Sequence, residues 1–454
     1  MIKKLNEKAR VVVKTPVGDT EEFVLEEIVR QGSVYGNQIC IASMDRINYI
    51  GKDITTFYGP NLPIRAVTFV DDVTASGGDA LANNVIYNCH VLEEQKKFTF
   101  NNKNGKTEYL IIGEFEEDMN AITSCVKRGT IQLAKEHKVL GSWFDSSGNY
   151  GINTEKRKEK LNFMIGTTKT EAHPRNVGRW AVDGRLKLAE VVVLQSILYN
   201  SEAFHEHTKD EMHELEKIQH TILTKMLELP STTPYYPLLM ETGWWLVCGK
   251  MAYRKLMLCQ NILTSDNRRV TKKLLHIQQQ EGRETTWYSS VKREIEKYKI
   301  ELNPAITLKS TWKKHVKTKI NTKMDELIRE KCITMTKGRL VRDDEYIKKE
   351  YLCGTDIREV KKILRVRLHM SSLPGNYKGG GDGTCPLCNE GKGNIEHYID
   401  CHHTKRLANV WGVEVNDLRS QDINTLSSVG NFTESVEELI QPLMVHKLTN
   451  EPSK

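Results

Sequence analysis

Two groups of residues have the types and spacing that chemistry requires. The first is Asp71-Asp72, which ends an apolar run in "IRAVTFVDDVTASGG", Ile64 to Gly78. Adjacent carboxylates repel each other, and a divalent cation relieves that repulsion. At the tip of a hairpin such a pair can hold Mg²⁺, which activates an attacking hydroxyl and stabilises the leaving oxygen in phosphoryl transfer. An Asp-Asp pair alone is a weak signal, because most are solvated turns. The second group is Cys385, Cys388, His397 and Cys401, spaced C-x2-C-x8-H-x3-C. Four soft or borderline ligands at this spacing match a closed tetrahedral zinc site. His397 and Cys401 are four apart, one helical turn, so both fall on one face. With all four positions filled by protein the ion is structural, stabilising a segment too small to build its own core. His402 or His403 is an alternative to His397.

Strands and helices must position these groups. In residues 1–150, "ARVVVKT" and "EEFVLEEIV" flank the turn "PVGD" and predict a hairpin. "IRAVTFV" and "VTAS" predict short strands on either side of the aspartates, and "TEYLIIG" and "HKVLGSWFD" predict further strands. Helical spacing marks 37–50 and 79–97. From about 151 the pattern turns helical. Leu215, Ile218, Ile222, Met226 and Leu229 form one stripe; Trp245, Cys248, Ala252, Leu256, Cys259 and Leu263 a second; Trp312, Val316, Ile320 and Met324 a third. These stripes read as core. The third helix also carries Lys313, Lys314, Lys317, Lys319 and Lys323, and "VKKILRVRLHM" adds Lys361, Lys362, Arg365 and Arg367. Such runs are usually solvated faces, but two on neighbouring helices can line a phosphate track. The last forty or so residues read as polar with a weak helix, "ESVEELIQPLM".

The 454 residues suffice for two or three cores. Lysines and arginines number 66 against 59 acids, a net charge of +7, compatible with a polyanionic partner. No stretch of about 18 apolar residues predicts a membrane span, and the first residues lack the apolar core of a signal peptide. The ten cysteines are therefore expected to be reduced, in nucleus or cytoplasm, and the seven outside the C-terminal cluster to be core residues.

The order of boxes along the chain resembles the later half of a reverse transcriptase palm from a non-LTR retrotransposon. "FVDD", Phe69 to Asp72, matches the family's catalytic box, and "RQGSVYGN" resembles the upstream box that begins Arg-Gln-Gly. The resemblance implies that Gln31, Gly32 and Phe69 lie against the template and nascent base pair. Asn37 stands where the family usually has proline. "NGKTEYLIIG" resembles the next motif, which makes Lys106 the lysine that approaches the triphosphate. "HKVLGSWFD" resembles the primer-grip hairpin, around Leu140 and Gly141. The ending "RLHM…CPLC…EHYIDC" resembles the family's C-terminal Cys/His segment.

The fold class this implies is α+β. A partial polymerase palm over 1–150 precedes a thumb-like helical region over 151–290 and a basic helical connection over 291–370. A zinc-knuckle-like segment over 371–412 and a polar tail over 413–454 complete the chain. The implied activity is RNA-directed DNA polymerisation, with Asp71 and Asp72 holding Mg²⁺, deoxynucleoside triphosphates as substrates, and an RNA template with a DNA primer as partners. The family's third carboxylate comes from an earlier motif. Asp19 is the only aspartate before "RQG" and lacks that motif's surroundings, so it does not inherit the role. The chain is accordingly expected to be a truncated element, impaired by itself unless an upstream polyprotein portion supplies the fingers and the missing aspartate. The competing expectation is a nucleic-acid-binding remnant without chemistry.

Overall fold

The computed structural model describes residues 9–12, 14–15, 18–19, 21, 23–25, 56–58, 62–64, 67–69, 72–74, 106, 108–112, 132–171, 182–302, 309–341, 343–353, 355–376 and 383–450. The chain is mixed α+β and mostly helical. It divides into two compact units, Met1–Gly148 and Asn149–Lys454.

The first unit contains pairs of short strands. Ala9–Val11 pairs antiparallel with Phe23–Leu25, and Lys14–Thr15 with Gly18–Asp19 between them, so the hairpin expected around "PVGD" is present. Thr56–Tyr58 pairs with Leu62–Ile64. Val67–Phe69 pairs antiparallel with Asp72–Thr74 in the register Phe69↔Asp72. Among the described residues of "TEYLIIG", Glu108–Tyr109 form a strand, which pairs parallel with Gln132–Leu133 rather than in a hairpin. "HKVLGSWFD" is two strands, Glu136–Val139 and Ser142–Asp145. Leu140 and Gly141 turn the chain between them at φ 46° and 84°. A two-residue hairpin loop with positive φ at both positions matches the right-handed twist of its strands. The helices expected over 37–50 and 79–97 lie outside the described residues.

Among the described residues the second unit is mostly helical, and its helices start and stop where the local chemistry dictates. Lys209–Met226 opens on a capping box: Thr208 Oγ1 accepts from the Glu211 amide at 3.1 Å, and Glu211 returns the bond to the Thr208 amide at 2.9 Å. Its stripe Leu215, Ile218, Ile222 and Met226 is buried; Leu229 is buried too, but lies past the helix end. Val247–Leu263 buries Ala252, Leu256 and Cys259, while Trp245 and Cys248 are only half-buried. It crosses Lys309–Ile333 closely at Gly249, where a Cβ would stand 2.7 Å from Met324 Sδ. Lys309–Ile333 buries Trp312, Val316, Ile320, Met324, Ile328 and Cys332 completely. Among the dispersed cysteines, Cys259 and Cys332 are buried as expected, whereas Cys353 is exposed.

Two expectations about the last hundred residues are corrected. The tail read as polar with a weak helix over "ESVEELIQPLM" does hold that helix, but it is longer, Ile423–Asn450, and it is not simply polar: Leu426, Val429, Phe432, Val436 and Ile440 are buried. It packs on Ile357–Arg367, and its acids take up that helix's cations: Glu434 meets Lys362 at 3.1 Å, and Glu437 meets Arg365 at 3.1 Å. Arg367 is not a phosphate contact at all. It is completely buried, with Nε 2.7 Å from the equally buried Glu241, and it also meets Asp344 and the Ser420 carbonyl. The Tyr351 hydroxyl donates to the other Glu241 oxygen. These partners hold the guanidinium charged against the cost of burial.

Candidate metal centre

The Cys/His residues converge because two small elements fold against each other. Asn389 takes positive φ at 54° and Gly391 at 65°, so the chain turns tightly behind the two cysteines. The Asn389 amide donates to the Cys385 carbonyl at 2.9 Å, and the Cys385 amide to the Gly391 carbonyl at 3.1 Å. Thr384 bridges Lys392 across the base of this knuckle. The helix Ile395–Asp400 supplies the other side. Asn394 caps it, accepting from the His397 amide at 3.1 Å, and Ile395, Tyr398 and Ile399 are buried beneath it. Cys401 follows the last turn, its amide bonded to the His397 carbonyl at 2.7 Å. Arg339 holds this helix from outside, donating to Glu396 and, at 2.9 Å, to His369 Nε2. Burial, with the Arg339 charge beside it, pushes His369 down to about 4, so it accepts as a neutral imidazole.

The four ligand atoms lie within 4.8 Å of one another, and His397 Nε2 is 3.3 Å from Cys388 Sγ. A tetrahedral ion with metal–sulfur bonds of about 2.3 Å separates its sulfurs by about 3.8 Å, so the set closes on one ion with small adjustments. Cys385 and Cys401 are buried, and Cys388 and His397 half-buried. Burial works against the Cys385 thiolate, but the Cys388 and Leu387 amides and the Tyr398 hydroxyl outweigh it and bring the thiol below its ordinary range. Cys388 moves the other way: desolvation and the neighbouring Cys385 and Cys401 thiols push it up, against the pull of the Glu390 amide at 3.3 Å. Thiolates crowded in this way repel until a cation stands between them. The buried Tyr398 hydroxyl has no oxygen or nitrogen partner among the described residues, and a metal-bound Cys385 thiolate gives it an acceptor. The donor set, with the Tyr398 hydroxyl beside the Cys385 sulfur, fits a bound metal ion.

Gly391 is a site residue that spacing does not reveal. A Cβ there would stand 2.7 Å from His397 Nδ1, so the glycine makes room for the ring whose Nε2 faces the cysteines. Gly391→Ala is expected to weaken zinc binding about 10- to 100-fold, the range found when a metal ligand loses its support, as read by chelator competition. Gly412→Ala is the control. It has the same handedness of backbone, φ 62°, but open space around its Cβ, so its zinc affinity should match the parent chain.

The polymerase-type residues are not assembled into a second site among the described residues. Gln31, Gly32 and Asp71 lie outside them. Phe69 and Asp72 are paired through their backbones at the end of their hairpin, Lys106 is an exposed turn residue, and Leu140 and Gly141 form the other hairpin tip. No helix among the described residues is long and apolar enough to cross a membrane. No protein-family model matches the chain, and a search of curated proteins finds no match.

Proposed function

We propose that the chain is a portion of an RNA-directed DNA polymerase of the non-LTR retrotransposon kind, with a structural zinc ion at Cys385, Cys388, His397 and Cys401. The observation that supports this reading best is the hairpin register Phe69↔Asp72. It sets the backbones of Phe69 and Asp72 opposite each other at the end of two short strands, which is compatible with a carboxylate pair at a hairpin tip. Zinc is favoured over other ions by three sulfurs and one imidazole in a closed set. In this reading Asp71 and Asp72 supply carboxylates to Mg²⁺, which activates the primer 3′-hydroxyl and stabilises the departing pyrophosphate. Lys106 approaches the triphosphate, and Gln31, Gly32, Phe69, Leu140 and Gly141 border the RNA template and DNA primer.

Primer extension on an RNA template tests the activity, and iron-directed cleavage tests the site independently. Extension by this chain is expected to be slow, because no third carboxylate is identified. The double variant Asp71→Asn/Asp72→Asn should lower it at least ~100-fold, in keeping with loss of several kcal/mol of transition-state stabilisation. Fe²⁺ in place of Mg²⁺, with added hydrogen peroxide as oxidant and ascorbate to recycle Fe³⁺, should cut the parent chain near residue 71 through locally formed hydroxyl radicals, and should not cut the variant there. Extension that persists undiminished in the variant, or iron cleavage that ignores it, would sink the reading.

A further inference from the structure

The helix Lys309–Ile333 carries a charge pattern that its own stability opposes. From Lys309 to Lys323 the sequence "KSTWKKHVKTKINTK" holds six lysines and no acid; the acids Asp325, Glu326 and Glu330 all come later. Lys309, Lys313 and Lys317 recur every four residues, and like charges at that spacing destabilise a helix. Lys309 also stands in the first turn, where the macrodipole disfavours cations. Lys309, Lys313, Lys314, Lys317 and Lys319 are exposed, and among the described residues no ion pair reaches them. Some lysines elsewhere in this unit are matched: Lys158 and Lys217 share Glu214, Lys250 meets Glu190, and Lys362 meets Glu434; what sets the ridge apart is five lysines unmatched among the described residues on one helix within eleven residues.

The helix is also fixed in rotation. Its opposite face, Trp312 through Cys332, is wholly buried, so the lysines cannot turn inward or follow a mobile ligand. Beside them, the Trp245 indole donates to Asn321 at 2.9 Å. Asn321 lies one turn beyond Lys317 and closes that edge of the ridge with a neutral polar side chain.

We propose that this ridge grips the phosphodiester backbone of a nucleic-acid duplex, a contact that goes beyond the polymerase reading and needs none of its chemistry. The three lysines at four-residue spacing rise about 6 Å per step along a straight rod, which suits successive charges on a stiff polyanion. Lysine heads are point charges that neutralise phosphate without reading bases. The residues exposed among them are Ser310, Thr311, Thr318, Asn321 and Thr322. That row has no aromatic platform for unstacked bases, as single-strand binding needs. Nor does it expose an apolar face, as insertion at a membrane surface needs.

The test is fluorescence anisotropy with the full chain, zinc-loaded, and labelled 20-base-pair DNA or RNA–DNA duplexes over a range of salt. The ridge variant is Lys309→Gln/Lys313→Gln/Lys317→Gln, in which glutamine keeps helix propensity. The control is Lys273→Gln/Lys292→Gln/Lys331→Gln, which removes the same charge from other exposed positions. Circular dichroism confirms that both variants fold. The ridge variant should bind at least ~10-fold more weakly at 150 mM salt, with a salt slope shallower by about 2–3, and the control should stay within about twofold of the parent. Comparing the two duplexes assigns the grip to DNA or to the hybrid. Equal losses in both variants, no loss in either, or ridge-dependent binding of anionic lipid vesicles or polyglutamate as tight as that of duplex would each overturn the proposal.

Discussion

Serine in place of Cys385 is expected to remove the metal and the order of residues 383–411 together. Cys385 is completely buried, its thiolate is favoured by two backbone amides and the Tyr398 hydroxyl, and Cys388, His397 and Cys401 are arranged around the same point. A serine hydroxyl cannot replace the thiolate as a zinc ligand at neutral pH. Three crowded donors remain without their ion, and structural zinc contributes roughly 10–16 kcal/mol to the folding of small metal-dependent segments. Buried Ile395, Tyr398 and Ile399 offset part of this, since each fully buried side chain of this kind is worth about 1.5–3 kcal/mol. The variant should bind zinc well below stoichiometry, and amide exchange should show lost protection over 395–411 while Lys209–Met226 and Val247–Leu263 stay protected. Cys388→Ser, at a half-buried position, should show the same pattern less severely. A parent chain purified without zinc, or a Cys385→Ser chain that keeps both metal and protection, would count decisively against the centre.

The second large effect lies at Arg367. Arg367→Ala should destabilise the second unit by about 3–5 kcal/mol, because it leaves the Glu241 carboxylate buried and short of its charge partner. The network reaches widely: Arg367 meets Glu241, Asp344 and the Ser420 carbonyl, and Glu241 also accepts from Tyr351. Replacing the buried pair together, Arg367→Met with Glu241→Leu, should recover more than half of the loss, since apolar groups of similar volume need no charge partner. Arg365→Ala, two residues away on the other side of the helix and paired with Glu437 at a partly exposed position, should cost no more than about 1 kcal/mol. Urea denaturation of the four chains reads all of this. A loss at Arg367 no larger than that at Arg365 would mean the network is not the keystone its burial indicates.

The contrast between Arg365 and Arg367 also marks how far the sequence is legible. Local features are legible because neighbours in sequence determine them. The stripes of the long helices follow from helical spacing, the Phe69↔Asp72 hairpin from turn and strand composition, and the four-ligand set from its Cys/His spacing. What decides the fate of a cation is a residue far away. Lys361, Lys362, Arg365 and Arg367 look alike in "VKKILRVRLHM", and only the fold reveals that Arg367 is buried against Glu241 while Lys362 and Arg365 meet the C-terminal helix. That helix was harder to read because Gly430 and Pro442 interrupt it and serines and glutamates surround its apolar residues. Its signal was nonetheless present: Leu426, Val429, Phe432, Val436 and Ile440 recur at steps of three and four. Gly391 needed the structure, since only the position of the His397 ring explains the absence of a Cβ.

The bond between Arg367 and Glu241 spans 126 positions of the chain, and this sets an order of events during synthesis. A ribosome adding about 5–20 residues per second makes Arg367 roughly 6–25 s after Glu241. Throughout that interval Glu241 is better placed in water than in an apolar interior without its guanidinium. The face of Tyr235–Thr242 that carries it therefore has reason to stay open while the rest of the early helices pack.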